Sequence, residues 1–204
     1  MLFVLVAALF LPLPAMADEA LEDTFVFPQD PLVSHFTDSW GEARSAGRSH
    51  KGTDIMAPKG TPVYAIADGE VTIVRTGDRA GRWIAVVHDD GWESWYMHLN
   101  NDNPGTDDGD ADWSLTLAPG IEEGTIVSAG ELVGWVGDSG NAEPSSPHTH
   151  FELHRNGVAT NPYPYLRAAY ERAVAELADD VLPALHELIV EMGSIPLRPV
   201  RPLY

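Results

Sequence analysis

From Pro147 to His154 the chain reads Pro-His-Thr-His-Phe-Glu-Leu-His, with polar and apolar residues largely alternating. That is the period of a half-buried strand. Side chains two apart on a strand share a face, so His148, His150, Glu152 and His154 point one way and Phe151 and Leu153 the other, into a core. Three imidazoles and a carboxylate on one face need partners. Imidazole is the commonest metal ligand and the side chain that titrates nearest neutrality. Upstream, His50 and Asp54 stand four residues apart. With one histidine of the strand they make two imidazoles and a carboxylate, a donor set that leaves a fourth position on zinc open to water. The other strand histidine and His98 are then free for acid-base work. The chain has no cysteine, which excludes disulfides, thiolate zinc sites and thiol nucleophiles.

These residues need elements to hold them. A helix over His50–Asp54 is disfavoured by Gly52 and Thr53 and by Pro58 and Gly60 just beyond. A turn that sets both side chains beside one point is expected instead. Val33–Phe36 reads as a short strand and Trp40–Ser49 as a loop. Thr61–Ala67 reads as a strand, Asp68-Gly69 as a hairpin turn and Glu70–Arg75 as its return. Arg82–His88 and Trp92–Leu99 form a second pair about Asp89-Asp90-Gly91, and Ile121–Val127 and Glu131–Val136 are strands around Ala129-Gly130. His88, at a strand end, reads as structural, and Glu152 and His154 as surface or orienting groups, since ligating histidines need such partners. After Asn161-Pro162, Leu166, Tyr170, Ala173, Val174, Leu177 and Val181 recur at three and four, an amphipathic helix that docks on the β domain. Pro183 must kink it or start a second short helix ending near Gly193.

The 204 residues fit one domain with a small appendage. Hydrophobic residues at 44% suffice for a core, and 16 Pro with 18 Gly favour short strands joined by turns. A net charge of -19 argues against nucleic acid, because phosphate binding needs clustered Lys and Arg. Met1–Ala17 carries no charge, is apolar from Leu2 to Leu13 and ends in Ala-Met-Ala, the pattern of a cleaved export signal without a basic start. Pro12 and Pro14 and its shortness argue against a membrane span, and none is expected in the mature chain. Export to the periplasm, envelope or exterior follows. The division expected is a signal at 1–17, an acidic tether at 18–40, a catalytic domain at 41–163, and a helical segment with a Pro-rich tail at 164–204. Within the domain, 100–119 is an acidic insertion. Its Asp108, Asp110 and Asp112 raise a calcium reading, but Trp113 and Pro119 stand where an EF-hand loop has Gly and Glu, so a solvated insertion is the preferred reading.

Taken together, Gly47-Arg48-Ser49-His50-Lys51-Gly52-Thr53-Asp54-Ile55, Gly60-Thr61-Pro62-Val63-Tyr64-Ala65, Asp68-Gly69, Tyr96-Met97-His98-Leu99, His148-Thr149-His150-Phe151-Glu152 and Asn161-Pro162-x-x-Tyr165-Leu166 closely resemble the lysostaphin-type (LytM-like) zinc endopeptidases acting on peptidoglycan. The resemblance covers about residues 41 to 166. It implies a mainly β, antiparallel sandwich-like catalytic domain, here with a C-terminal helical appendage. It implies one Zn2+ per chain held by His50, Asp54 and His150, His98 and His148 as the catalytic pair, and a peptidoglycan peptide as substrate. The acidic insertion is longer than the family core has at that place, and would wall the groove. An inactive relative that binds the wall or activates a hydrolase is the alternative, disfavoured because all five positions are filled. A D-Ala-D-Ala zinc carboxypeptidase would resemble His-x6-Asp, and position 57 is Ala.

Overall fold

The computed structural model describes residues 20–194; the expected signal at 1–17 and the tail beyond 194 lie outside the described residues. Its strands are β1 (Ala43–Arg44), β2 (Arg48–Ser49), β3 (Thr53–Met56), β4 (Pro62–Tyr64), β5 (Gly69–Gly77), β6 (Gly81–Val87), β7 (Trp92–Leu99), β8 (Ile126–Val127), β9 (Leu132–Trp135), β10 (His148–Arg155) and β11 (Val158–Thr160), followed by helix α1 (Tyr163–Ser194). The main sheet is seven-stranded and antiparallel in the order β11-β10-β7-β6-β5-β8, with β3 alongside β10. β1 with β2 and β4 with β9 make two small sheets. The expected mainly β, antiparallel fold with a C-terminal helix is what the chain forms.

One face of the main sheet carries the core. Ile55, Val71, Ile84, Val86, Trp92, Tyr96, Phe151 and Leu153 point into it and meet Val63 and Val133 of the small β4–β9 sheet. Leu166 and Ala169 of α1 close one side. The stretch read as a tether contributes Phe25 and Phe27, with Phe25 edge-on to Trp92 and Phe27 edge-on to Tyr170. The opposite face of the sheet carries a second, smaller apolar cluster of Trp83, Ala85 and Met97, with Ile73, Ala80 and Trp95 packed against it.

Several pairings differ from those expected. Thr61–Ala67 does not fold back on Glu70–Arg75: β4 pairs with β9, and β5 with β6 and β8. Asp68 leads into β5 with its Oδ1 accepting from the Ala129 amide, and Gly69 is where β5 runs so close to β6 that a Cβ would strike the Val87 carbonyl. The hairpin turns instead at Asp78–Ala80. Ile121–Val127 shrinks to Ile126–Val127, since Gly120 and Gly124 hold φ of 85° and 90° and make turns. Val33–Phe36 keeps only a bridge from His35 to Met56, while the expected loop at 40–49 contains the β1–β2 hairpin. Helix α1 is a single run through Pro183, not two helices. Its first turns dock through Leu166 and Ala169, while Val174 is 37% and Val181 55% exposed. No helix of the described residues is long and apolar enough to cross a membrane.

The acidic loop is folded, not merely solvated. Lys59 Nζ lies 2.6 Å from Asp102, 2.7 Å from Asp107 and 2.9 Å from Asp138, and the Asp102 carboxylate also accepts from the Gly109 amide. Burial works against charge on Lys59, yet its hydrogen bonds to these carboxylates raise its pKa. Asp108 and Asp112 accept from nearby backbone amides, at Asn103 and Asp110 and at Ser114 respectively. Among the described residues, Asp108, Asp110 and Asp112 are not brought together as a metal cluster.

Candidate metal centre and groove

His50 and Asp54 are not joined by a turn. Asp54 lies on β3, where burial alternates because Thr53 and Ile55 enter the core and Asp54 and Met56 face the open side. β3 pairs antiparallel with β10, and its register sets Asp54 directly opposite His150. His50 arrives from the residues just before β3. Three donor atoms therefore converge: His50 Nε2 is 3.0 Å from Asp54 Oδ1 and 2.9 Å from His150 Nδ1, and His150 Nδ1 is 2.8 Å from Asp54 Oδ1. These residues form a cluster able to hold a metal ion.

Hydrogen bonding at the far side of each ring fixes which nitrogen faces inward. A carbonyl only accepts, so His50 Nδ1–H donates to the Ser39 carbonyl at 3.0 Å and Nε2 turns its lone pair to the cluster. His150 Nε2 is 3.2 Å from Glu152 Oε1, and Nδ1 faces the cluster. Glu152 also receives His154 Nε2 at 2.8 Å, and that ring stacks on Trp95 at 4.3 Å between centroids. Burial by itself would lower the His150 pKa, but hydrogen bonds to Asp54 and Glu152 outweigh it and raise the value to about 9. Burial would likewise raise Asp54 and Glu152, yet the bonds from the histidines hold both carboxylates ionised, well below their ordinary range. A site of two inward-facing imidazole nitrogens and one anionic oxygen fits a divalent cation such as zinc, which would take the place of a shared proton.

His98 and His148 lie beside this cluster, with ring centroids 5.0 Å apart, and His98 is 6.0 Å from His150. Each is oriented by a carbonyl: His98 Nδ1–H donates to Ser139 and His148 Nδ1–H to Ser146, both at 2.8 Å. Each therefore offers Nε2 as a free acceptor. His148 Nε2 reaches to 3.9 Å from Asp54 Oδ1. Burial, and then the neighbouring His148, push His98 down to about 4, so it is neutral near pH 7.

His98 reaches the open face only through a backbone irregularity. By strict alternation with Trp92, Ser94 and Tyr96 it would enter the core and Leu99 would face out. The register of β6 against β7 shifts here, and His98 adopts φ 60°, which returns Leu99 to the core and sends the imidazole to the groove. The out-of-phase Leu99 was the sequence signal for this bulge. Sequence reasoning also missed the carbonyls of Ser39, Ser139 and Ser146 and the Arg44 guanidinium 3.0 Å from Asp54 Oδ2. Glu152 and His154, read as supporting, do support His150. His88 is a structural histidine, bonded to the Asp68 carbonyl and Ser94 Oγ at 2.8 Å each.

The cluster opens onto a groove of about 1360 Å3 lined by Trp83, Met97 and Met56 and rimmed by the β1–β2 hairpin on one side and the β5–β6 hairpin on the other. No residue of the acidic loop lines it, so the loop does not wall the groove as expected; it lines a separate cavity with Lys59 and Trp135.

Residues 48–110 match the model described as Peptidase family M23, a span holding His50, Asp54 and His98 with His148 and His150 beyond it. The chain is 32% identical over 145 residues to the L-Ala--D-Glu endopeptidase of Bacillus subtilis (strain 168), covering 65% of this chain and 40% of that one. It is 33% identical over 129 residues to the glycyl-glycine endopeptidase ALE-1 of Staphylococcus capitis, covering 60% and 30%. The chain thus spans 40% or less of the length of these two relatives. The catalytic domain of the antimicrobial peptidase lysostaphin from Staphylococcus simulans superposes with TM-score 0.51 at 28% identity, over 65% of this chain and 92% of that domain.

Proposed function

The chain belongs to peptidase family M23, the LytM-like metallopeptidases, and from that premise we propose that it is an exported zinc-dependent endopeptidase hydrolysing peptide bonds in peptidoglycan cross-links or stem peptides. The observation that carries this reading is the convergence of His50 Nε2, Asp54 Oδ1 and His150 Nδ1 within 3.0 Å of one another beside two imidazoles with free Nε2 atoms. His50, Asp54 and His150 would hold one zinc ion, which when bound supplies Lewis-acid polarisation of a carbonyl and lowers the pKa of water toward 7. Glu152 fixes the His150 ring by its Nε2, and His154 fixes Glu152 in turn. His98, neutral, accepts a proton from the attacking water at Nε2. His148 Nε2, once protonated, donates to the oxyanion developing on the scissile carbonyl or to the leaving amine. Trp83 and Met97 give the groove an apolar floor that would keep water from beneath a bound peptide. The relatives named as endopeptidases support this assignment of reaction, and the charge-free leader at 1–17 supports export.

The reading is tested by incubating the mature protein with purified peptidoglycan, with and without chelator, and identifying released muropeptides. Chelator-sensitive release is expected from wild type, and His50→Ala and His148→Ala should match the chelated control. An absence of release from zinc-loaded wild type overturns it.

A further inference from the structure

In a chain of net charge -19, the placement of the cations is uneven. Among the described residues, Lys59 is held by Asp102, Asp107 and Asp138, Arg155 by Glu22, and Arg167 by Glu171. Arg82 and Arg172 donate to backbone carbonyls, and Arg44 pairs with Asp54 and Glu42. That leaves Arg48, Lys51, Arg75 and Arg79, which have no ion pair with any described carboxylate, and all of them line the groove of the metal cluster. All are exposed. Arg48 bonds only to Ser45, its neighbour in the hairpin.

Their positions straddle the site. Arg48 and Lys51 flank His50, at the β3 edge of the sheet. Arg75 and Arg79 belong to β5 and the β5–β6 turn, on the far side of β7 and its His98. A peptide laid across the cluster meets free cations at both ends. Exposed cations left without partners in an otherwise anionic molecule focus the field on the groove and draw in anions while the rest of the surface repels them. Resting on the endopeptidase reading, we propose that the substrate is an anionic peptide with free carboxylates on both sides of the scissile bond, as in stem peptides whose acidic residues are not amidated, and not an uncharged bridge such as oligoglycine. Arg48 and Lys51 take the carboxylate on one side and Arg75 and Arg79 that on the other. Guanidinium forks match carboxylates bidentately, which adds register to attraction.

The test uses one dimeric muropeptide in two forms, with free carboxyl groups and fully amidated, and measures both cleavage by zinc-loaded wild type and binding to His148→Ala. Amidation is expected to raise KM and the dissociation constant about tenfold, within the range that focused fields give. Raising salt from low to physiological strength should erode the advantage of the free form, because exposed charges are screened beyond about 8 Å. Arg75→Gln with Arg79→Gln should narrow the gap in KM between the two forms, and adding Arg48→Gln with Lys51→Gln should close it. Equal KM and equal binding for the two forms in wild type overturn the proposal, as does better cleavage of oligoglycine. Discrimination in binding with neither form cleaved supports it and instead sinks the endopeptidase reading.

Discussion

His98 combines three features that oppose stability: a left-handed φ of 60°, burial, and a second imidazole with its centroid 5.0 Å away. A non-glycine residue in that region costs of the order of 1 kcal/mol and persists only where the surroundings hold it, here the Ser139 carbonyl and the Ala80 carbonyl that receives the His98 amide. Asn tolerates positive φ, and its amide can donate where Nδ1–H does. His98→Asn should therefore fold, while losing roughly 10²–10⁴ in turnover as the proton acceptor disappears. It should also alter the response to acid. The folded His98 pKa, about 4, lies below the ordinary 6.5, so between those values the unfolded chain binds the extra proton and stability falls as pH is lowered. In the chelated protein, the fall in thermal midpoint from pH 6.5 to 4 should be shallower in His98→Asn than in wild type. Equal slopes would mean that another group governs this window.

The elements divide into those that alternation makes legible and those that close approach dictates. β6, β10 and β7 as far as Met97 follow the sequence pattern because each buries one face on a continuous core, and the polar face of β10 carries His150 of the donor cluster. β3 was illegible: four residues are too few for periodicity, and Thr53-Asp54 beside Gly52 mimic a turn. What makes it a strand is its long-range partner β10, which local propensity does not contain. β4 is legible as a strand within Thr61–Ala67, but its pairing is not, because its mate β9 lies far along the chain. His50, Asp54 and His150, which the structure gathers into one donor cluster, are legible as types and spacing, but not the carbonyls that orient the imidazoles, since any residue supplies a carbonyl. At Gly52 β3 passes close against β10. A Cβ there would strike the Phe151 carbonyl and come within 2.8 Å of His150 Nε2, the atom that Glu152 orients. Gly52→Ala must push β3 from β10 or rotate the His150 ring, a cost of about 1–3 kcal/mol by the usual scale of overpacking. A lowered denaturation midpoint together with weaker zinc retention is expected. Unchanged zinc affinity would show that the ring does not depend on this approach.

At the scale of the molecule, one face of the sheet is covered and the other carries the site, and the two are joined at the edge where β3 lies. β3 pairs with β10 and meets the N-terminal segment at the His35–Met56 bridge, so ties between the stretch from Ser39 to Met56 and the rest of the fold run along this edge. The donor cluster is one of them, because His50 and Asp54 come from this stretch and His150 from β10. In the absence of metal the tie is a proton on His150 shared with Asp54 and Glu152, whose carboxylates hold its pKa at about 9. Zinc would replace that proton with a divalent charge between the same three atoms, and any ion that binds only the folded chain adds RT ln(1 + [L]/Kd) to its stability, about 2.7 kcal/mol at a hundredfold excess over Kd. For a chain of 204 residues that corresponds to a rise in Tm of about 5–10 °C. Zinc titrated into chelator-stripped protein at pH 7 should produce this rise in wild type and little of it in Asp54→Ala, which removes the shared anionic atom. Hydrogen exchange should locate the gain in protection at residues 39–56 and along β10. A metal-independent Tm, or protection that rises elsewhere, would exclude the His50–Asp54–His150 cluster as the tie between the edge strand and the sheet.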